Sequence, residues 1–97
     1  AVNLTGTGTR QADSAGSYTH AAACGMSGGK PVYQHGPEDE FLFFFGSRWQ
    51  VGKRADLGSN RGWLYVEDCA ARPELIQAAW KQFDGKRWRP APALRVR

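Results

Sequence analysis

The sequence predicts a small all-β domain, an antiparallel sandwich-like or barrel-like fold of about six or seven short strands. The apolar runs of this 97-residue chain are short, closely spaced and separated by turn residues. Turn formers are frequent, with 12 Gly and 5 Pro. Four Trp, five Phe and three Tyr recur in the apolar runs, and rings of this size bury enough area to hold a small core together.

Composition divides the chain into two parts. Residues 1–17 are rich in Gly, Ser, Thr and Ala, and we expect a flexible N-terminal segment in which Val2 and Leu4 could form a short edge strand. Residues 18–97 are expected to form a single β domain. Its seven predicted strands are residues 31–35, 41–45, 48–51, 63–67, 80–83, 86–89 and 93–96, and residues 18–23 could form a further strand or one helical turn.

Turn residues separate these strands. Gly25–Lys30 is a clear turn. Gly46-Ser47, with Gly first, suits a type II′ hairpin, and Asp84-Gly85 suits a type I′ hairpin. Pro73 fits the first turn of a helix, so at most one short helix is expected, near residues 73–79.

The strand at residues 41–45 is apolar throughout, whereas a half-buried strand alternates apolar with polar residues. Its first, third and fifth residues point to one face, and Leu42 and Phe44 point to the other. One set can fill the core, but the second set needs a cover. The chain itself covers it if this is the central strand of a sandwich. Otherwise Leu42 and Phe44 bind a partner protein, because exposed apolar patches often mark interfaces.

Positive charge is concentrated near the C-terminus. The net charge of the chain is +4, and residues 81–97 contain six basic residues against a single acidic one, Asp84. A basic end can bind an acidic protein surface, although a solvated end is the competing interpretation. Its mixture of basic and aromatic residues fits nucleic-acid binding only loosely, and we do not expect it. The residues predicted to bind the partner are Lys86, Arg87, Arg89 and Arg95.

Exposed aromatic rings flanked by polar side chains suggest carbohydrate as an alternative ligand. Trp49, Trp63 and Trp88 are the candidate stacking residues. The competing interpretation is that these rings belong to the core, because a β domain of this size needs several large side chains inside.

The two cysteines, Cys24 and Cys69, are the minimum for a disulfide. If paired, they would close a loop of about 46 residues and stabilise the fold by roughly 4 kcal/mol. That pairing would favour an oxidising compartment, an organelle lumen or the extracellular space. Unpaired, they would be two small buried residues.

No constellation in the sequence predicts catalysis, a metal or a cofactor. The spacing of His20 and Cys24 imposes no pairing of a nucleophile with a base, and it provides only one close pair of zinc ligands where structural sites use two. Gly25–Lys30 lacks the spacing of a phosphate loop and is followed by Pro31. No apolar run approaches the ~20 residues of a membrane span.

Five blocks follow one another in a specific order: GKPVYQH, EFLFFFGSRWQVG, GWLYVED, Pro73 and WKQFDGKRWRPAPALRV. In this order, over residues 18–96, the chain resembles an uncharacterised small module that occurs in single or tandem copies in algal, dinoflagellate and marine invertebrate proteins. The resemblance implies a folded unit and no catalytic residues. The chain departs from the module at residues 43–45, where it has three Phe and the module usually has Tyr at some of these positions. Phe lacks the hydroxyl group of Tyr, which fits side chains that are permanently covered.

Together these patterns predict a non-enzymatic interaction module, an accessory or structural subunit of a larger protein assembly. Its partner would present an acidic and partly apolar surface. By resemblance alone, that assembly is expected to be a photosynthetic complex of an alga. The alternative is a carbohydrate-binding module.

Overall fold

Short antiparallel strands dominate the computed structural model, which describes residues 2–6 and 14–97. Nine of the eleven strands in these residues form one curled sheet, a half-barrel, in the order β10-β9-β8-β7-β6-β5-β2-β1-β11. The strands are β1 (Val2–Thr5), β2 (Gly16–His20), β3 (Met26–Ser27), β4 (Lys30–Pro31), β5 (Tyr33–His35), β6 (Phe41–Phe45), β7 (Arg48–Gly52), β8 (Leu64–Val66), β9 (Trp80–Phe83), β10 (Trp88–Ala91) and β11 (Arg95–Val96). The predicted all-β class is confirmed.

The N-terminal strand belongs to the sheet. β1 pairs with β2 on one side and with β11 on the other, and Val2 and Leu4 are buried in the core. The backbone N–H of Asn3 donates to the carbonyl of Arg97 at 2.7 Å, and the N–H of Arg97 donates back at 2.9 Å. The sheet therefore includes part of the segment that the sequence assigned to a flexible N-terminus.

The helix expected near residues 73–79 is reduced to a 3₁₀ turn at Pro73–Leu75. The backbone N–H groups of Gln77 and Ala78 donate to the Asp68 carboxylate at 2.9 and 3.1 Å. These bonds, with that of Gln77 foremost, hold the pKa of Asp68 below its ordinary value. Because Asp68 takes donors that a helix would need, the segment after the turn runs as an irregular loop.

The turns follow the glycine positions. Gly46 has φ +65°, while Ser47 does not have a positive φ, which is the pattern of the predicted type II′ turn. Asp84 likewise lacks the positive φ that a type I′ turn requires. The β9–β10 connection is instead four residues long, with Phe83 paired to Trp88 and the Asp84 N–H donating to the Arg87 carbonyl at 3.0 Å. The prediction of a type I′ turn there was wrong.

The main core lies on one face of the curled sheet, here called the inner face. Three half-buried side chains pack against it: Tyr33, Trp63 and Ile76. Its buried members are Val2, Leu4, Tyr18, Leu42, Phe44, Trp49, Val51, Leu64, Val66, Trp80, Ala91, Leu94 and Val96.

A second, smaller core lies on the opposite, outer face of β6. It contains Val32, Phe41 and Phe43. The 3₁₀ turn at Ala22–Cys24 and Leu57 contribute side chains that pack over it. The first four residues of the all-apolar strand β6 are therefore covered within the chain, two on each face, whereas Phe45 at its end is exposed.

Phe44 is the β6 residue whose loss should damage the main core most. It is 6% exposed, and its ring meets Trp49 edge-on at a centroid distance of 5.6 Å. We expect Phe44→Ala to lower the free energy of unfolding by about 3–5 kcal/mol. The adjacent Phe45 is 36% exposed, so Phe45→Ala should cost about 1 kcal/mol or less. Urea unfolding followed by Trp fluorescence measures both, and equal losses would contradict the burial of Phe44.

Gly6 supports the contact between the two ends of the chain, where β1 pairs with β11. It has φ +78°, and a Cβ there would lie 2.0 Å from the carbonyl oxygen of Ala93. Gly36 has φ +52° with no atom within 4 Å of its Cβ position, so Gly36→Ala isolates the backbone strain, about 1–2 kcal/mol. Gly6→Ala should destabilise clearly more than Gly36→Ala in thermal unfolding. Similar melting temperatures for the two variants would show that the Gly6–Ala93 approach is looser than described.

Candidate functional site

The apolar residues predicted to meet a partner are inside the protein. Leu42 is fully buried and Phe44 is nearly so, both in the main core. A partner cannot reach either side chain without unfolding the strand. This corrects the prediction that Leu42 and Phe44 form a binding surface: the second face of the strand is covered within the chain.

The three candidate stacking residues lie in three different environments. Trp49 is fully buried, and its indole N–H donates to the Ala70 carbonyl at 2.9 Å, so it is a core residue and no ligand can stack on it. Trp63 is half-buried, and its indole N–H donates to the Ser14 hydroxyl at 2.7 Å. Trp88 is 39% exposed. Only Trp63 and Trp88 remain available to a ligand.

Trp88 belongs to a group of aromatic and cationic side chains on the outer face, here called the outer patch. The Trp88 ring meets Tyr65 edge-on at a centroid distance of 4.7 Å and Phe83 at 5.4 Å. The guanidinium of Arg48 lies over Tyr65 at 4.2 Å from the ring centroid, within range of a cation–π interaction. The members of the patch are Phe45, Arg48, Tyr65, Phe83 and Trp88.

Strand register places the outer patch on one face. Residues that pair across antiparallel strands share a face, and alternate residues along a strand do too. Tyr65 pairs with Gln50 on β7 and with Lys81 on β9. Arg48 lies two residues from Gln50, and Phe83 lies two residues from Lys81. The pairs Phe45–Arg48 and Phe83–Trp88 then complete the group at neighbouring strand ends.

An ion pair with Glu67 holds Arg48 in its position in the outer patch. Its guanidinium lies 3.1 Å from the Glu67 carboxylate, which also accepts a hydrogen bond from the Ser47 hydroxyl at 2.8 Å. These contacts hold the cation over Tyr65 while 30% of the Arg48 side chain remains exposed. The exposed cation and rings therefore form a preorganised surface, which is favourable for binding because less freedom is lost.

The basic residues predicted to meet a partner are all exposed. The Asp84 carboxylate accepts the backbone N–H groups of Arg87 and Lys86, each at 2.9 Å, and the side chain of Arg89. These bonds, led by that of the Arg87 N–H, hold the pKa of Asp84 far below its ordinary value. Arg95 donates to the carbonyls of its own turn. Lys86 and Arg87 directly precede Trp88 in the sequence, and both side chains are exposed.

A groove on another part of the surface contains Trp63. It has a volume of about 610 Å³, and its walls come from the β5–β6 connection and from the residues that follow β7 and precede β8. The residues that line it are His35, Gly36, Pro37, Glu38, Asp39, Glu40, Lys53 and Trp63. None of them belongs to the outer patch.

A hydrogen-bond network holds one wall of the groove. The buried Ser14 hydroxyl accepts from Trp63 and donates to Glu40 at 3.3 Å, while the other Glu40 oxygen lies 2.9 Å from Nδ1 of His35. The ring of Tyr18 stacks on His35 at 4.8 Å, and its hydroxyl donates to the Ser14 carbonyl at 2.7 Å. Burial first, and then the Glu40 charge, raise the pKa of Tyr18, so its hydroxyl stays a donor.

The network has hydroxyl, carboxylate and imidazole groups, but not in the order of a nucleophilic triad. Glu40 lies between Ser14 and His35, whereas an activated serine needs the imidazole as its immediate neighbour. His20 lies beside the ring of Tyr33, and Cys24 contacts the guanidinium of Arg54 at 3.6 Å. Within residues 2–6 and 14–97, no three His, Cys, Asp or Glu side chains are grouped as metal ligands.

Comparison with family models, with curated proteins and with solved structures finds no match for this chain. In the part of the chain that the structure describes, no helix has the length and apolar character to cross a membrane.

The outer patch and the groove were largely missed at the level of sequence. Trp63 and Trp88 were candidates, but Phe45, Arg48 and Phe83 were not. Period-two alternation in β6, β7 and β9 could have placed those three on one face. No sequence signal could have found the groove, because its network joins residues 14, 18, 35, 40 and 63.

The cysteines do not form the disulfide that the sequence allowed. Cys24 is half-buried, Cys69 is exposed, and both are free thiols. We expect a thiol-reactive dye to count two thiols in chain denatured without reductant. A reducing agent should leave the melting temperature unchanged, since there is no cross-link to break. A count of zero thiols, with a melting temperature lowered by reductant, would contradict this assignment.

Proposed function

We propose that the protein is a non-enzymatic interaction module, an accessory or structural subunit that binds another protein of a larger assembly through the outer patch. The observation that supports this most is the cluster of exposed and half-buried rings in the outer patch, with Arg48 over one of them. Trp, Tyr and Arg are the residues that most often dominate the energy of protein interfaces. Here Tyr65 contacts both Trp88 and Arg48 on the surface of the sheet.

The chemistry of the outer patch favours an acidic and partly apolar partner. Trp88 and Phe45 are both more than a third exposed, which offers apolar area. Lys81, Lys86 and Arg87 are exposed beside the patch. Glu67 and Arg48 neutralise each other in their ion pair. The exposed cations beside the patch therefore give its surroundings an excess of positive charge, which steers and orients acidic partners.

The proposed partner is of the kind that the sequence predicted, but different residues form the apolar contact with it. Phe45 and Trp88 provide the apolar contact that was predicted for Leu42 and Phe44, and the basic contribution comes from the same end of the chain. The resemblance to algal, dinoflagellate and marine invertebrate modules supports the further proposal that the assembly is a photosynthetic complex of an alga.

A carbohydrate-binding role is the second candidate. The observation that favours it is the position of Trp63, a half-buried ring in the wall of a groove lined with polar side chains.

The partner proposal is tested by the native size of the tagged chain in extract from the source cells. We expect wild type to migrate with a larger assembly, and Trp88→Ala and Arg48→Ala to migrate near 10.7 kDa. Leu75→Ala is the matched control, because Leu75 is 49% exposed and lies outside the patch. Salt should weaken the association, since it screens exposed charges.

Unfolding curves that match wild type must accompany the loss of binding in the patch variants. Identical migration of all four chains, whether with an assembly or as the free domain, would overturn the proposed role of the outer patch.

A further inference from the structure

We propose that the Trp63 groove is a binding site for a hydroxyl-rich oligosaccharide that carries no negative charge. This inference rests on the second candidate function and specifies its site and its ligand. It is independent of the partner proposal, because the groove and the outer patch share no residue.

The ring of Trp63 is fixed before any ligand arrives. Its indole N–H is bonded to Ser14, which is 1% exposed and itself held by Glu40. An aromatic ring that is locked in place gives a flat apolar surface without an entropic cost on binding. Such a surface fits the C–H face of a sugar ring.

Polar groups of both kinds surround this ring. Glu38 and Asp39 are exposed and provide carboxylate oxygens that accept from hydroxyl groups, and exposed Lys53 provides donors. The Asp39 carboxylate is oriented by the backbone N–H of Arg54, which donates to Oδ1 at 2.9 Å and leaves Oδ2 for a ligand. An apolar wall with a few convergent polar groups is the usual form of a small-molecule site.

The charge of the groove determines which sugars fit. Three carboxylates line it, at Glu38, Asp39 and Glu40, against one ammonium group at Lys53. Uronic or sulfated sugars would bring further negative charge to this acidic loop, where like charges repel. A neutral sugar avoids that repulsion.

The shape of the surface favours an oligosaccharide over a single ring. A second groove, of about 570 Å³, adjoins the first and shares Pro37, Glu38 and Asp39 with it. Phe41 and Arg54 also line this second groove. The turn at 36–39 thus separates two depressions, and a short chain of sugar rings could place units on both sides of it.

The test follows the indole N–H signals of the ¹⁵N-labelled full chain during titration with neutral cellotriose. We expect the Trp63 signal to shift with saturation while the Trp88 signal stays in place. Glucose should bind more weakly than the trimer, and a galacturonic acid trimer should not bind. A glucosamine trimer tests charge, and it should bind as well as cellotriose or better at low salt.

Variants assign the contacts. Asp39→Asn and Lys53→Met change exposed side chains, so the fold should persist, and each should weaken cellotriose binding about tenfold, the effect of losing a hydrogen bond to a charged group. Trp63→Phe keeps a ring but loses the bond to Ser14, and it should weaken binding further.

Two kinds of result would overturn the inference. The first is a Trp63 signal that no neutral sugar shifts, including the case in which only the glucosamine trimer binds, because the groove would then be a site for cations. The second is a shift confined to Trp88 and abolished by Trp88→Ala, which would place sugar binding on the outer patch. Neither result changes the sizing experiment with Arg48→Ala, so failure here is separable from failure of the partner proposal.

Discussion

The burial of β6 on both of its faces is the constraint on which the structure depends. A strand points alternate side chains to opposite faces, so five consecutive apolar residues require two covers. The curled sheet provides one as the main core, and the segments around Cys24 and Leu57 provide the other over Phe41 and Phe43. The connections that follow β2 and β7 are therefore packed parts of the fold, although they contain little regular structure.

The second core covers only a small part of the sheet, and the outer patch and the Trp63 groove lie outside that part. β8, β9 and β10 have no cover from the second core on their outer face, and there the rings of Tyr65, Phe83 and Trp88 pack on one another. The Trp63 groove lies beside the connection between β5 and β6. Partial cover of a sheet thus leaves both an aromatic face and a polar groove on a domain only 31 Å across in its longest dimension.

Local patterns predicted the parts of the fold that depend on neighbouring residues. β6, most of β7, β9 and the turn at Gly46 followed from apolar runs and turn chemistry. The pairing of β1, and the loop that takes the place of the helix near 73–79, could not be predicted. The first depends on β11, which lies about 90 residues away in sequence, and the second depends on the side chain of Asp68.

For the candidate sites too, the sequence predicted what depends on neighbouring residues and missed what depends on distant ones. The sequence pointed to large aromatic residues as candidate binding groups, but it could not tell buried Trp49 from exposed Trp88, because both lie in short apolar strands. The difference is one of position in the sheet: Trp49 lies on the inner face of β7, which is flanked on both sides, whereas Trp88 lies on the outer face of the edge strand β10. Burial of a ring in such a domain is set by the number of neighbouring strands as much as by its own pattern.

The pairing of β1 with β11 has a consequence for folding kinetics. The hairpins β6–β7 and β9–β10 close loops of a few residues, whereas contact between Asn3 and Arg97 closes nearly the whole chain. Loop-closure entropy grows with length, and sheets rich in distant contacts fold slowly. The sheet should therefore assemble from its middle outwards, with the pairing of the two chain ends at the β11 edge as the last event and as the first to reverse in native-state fluctuations.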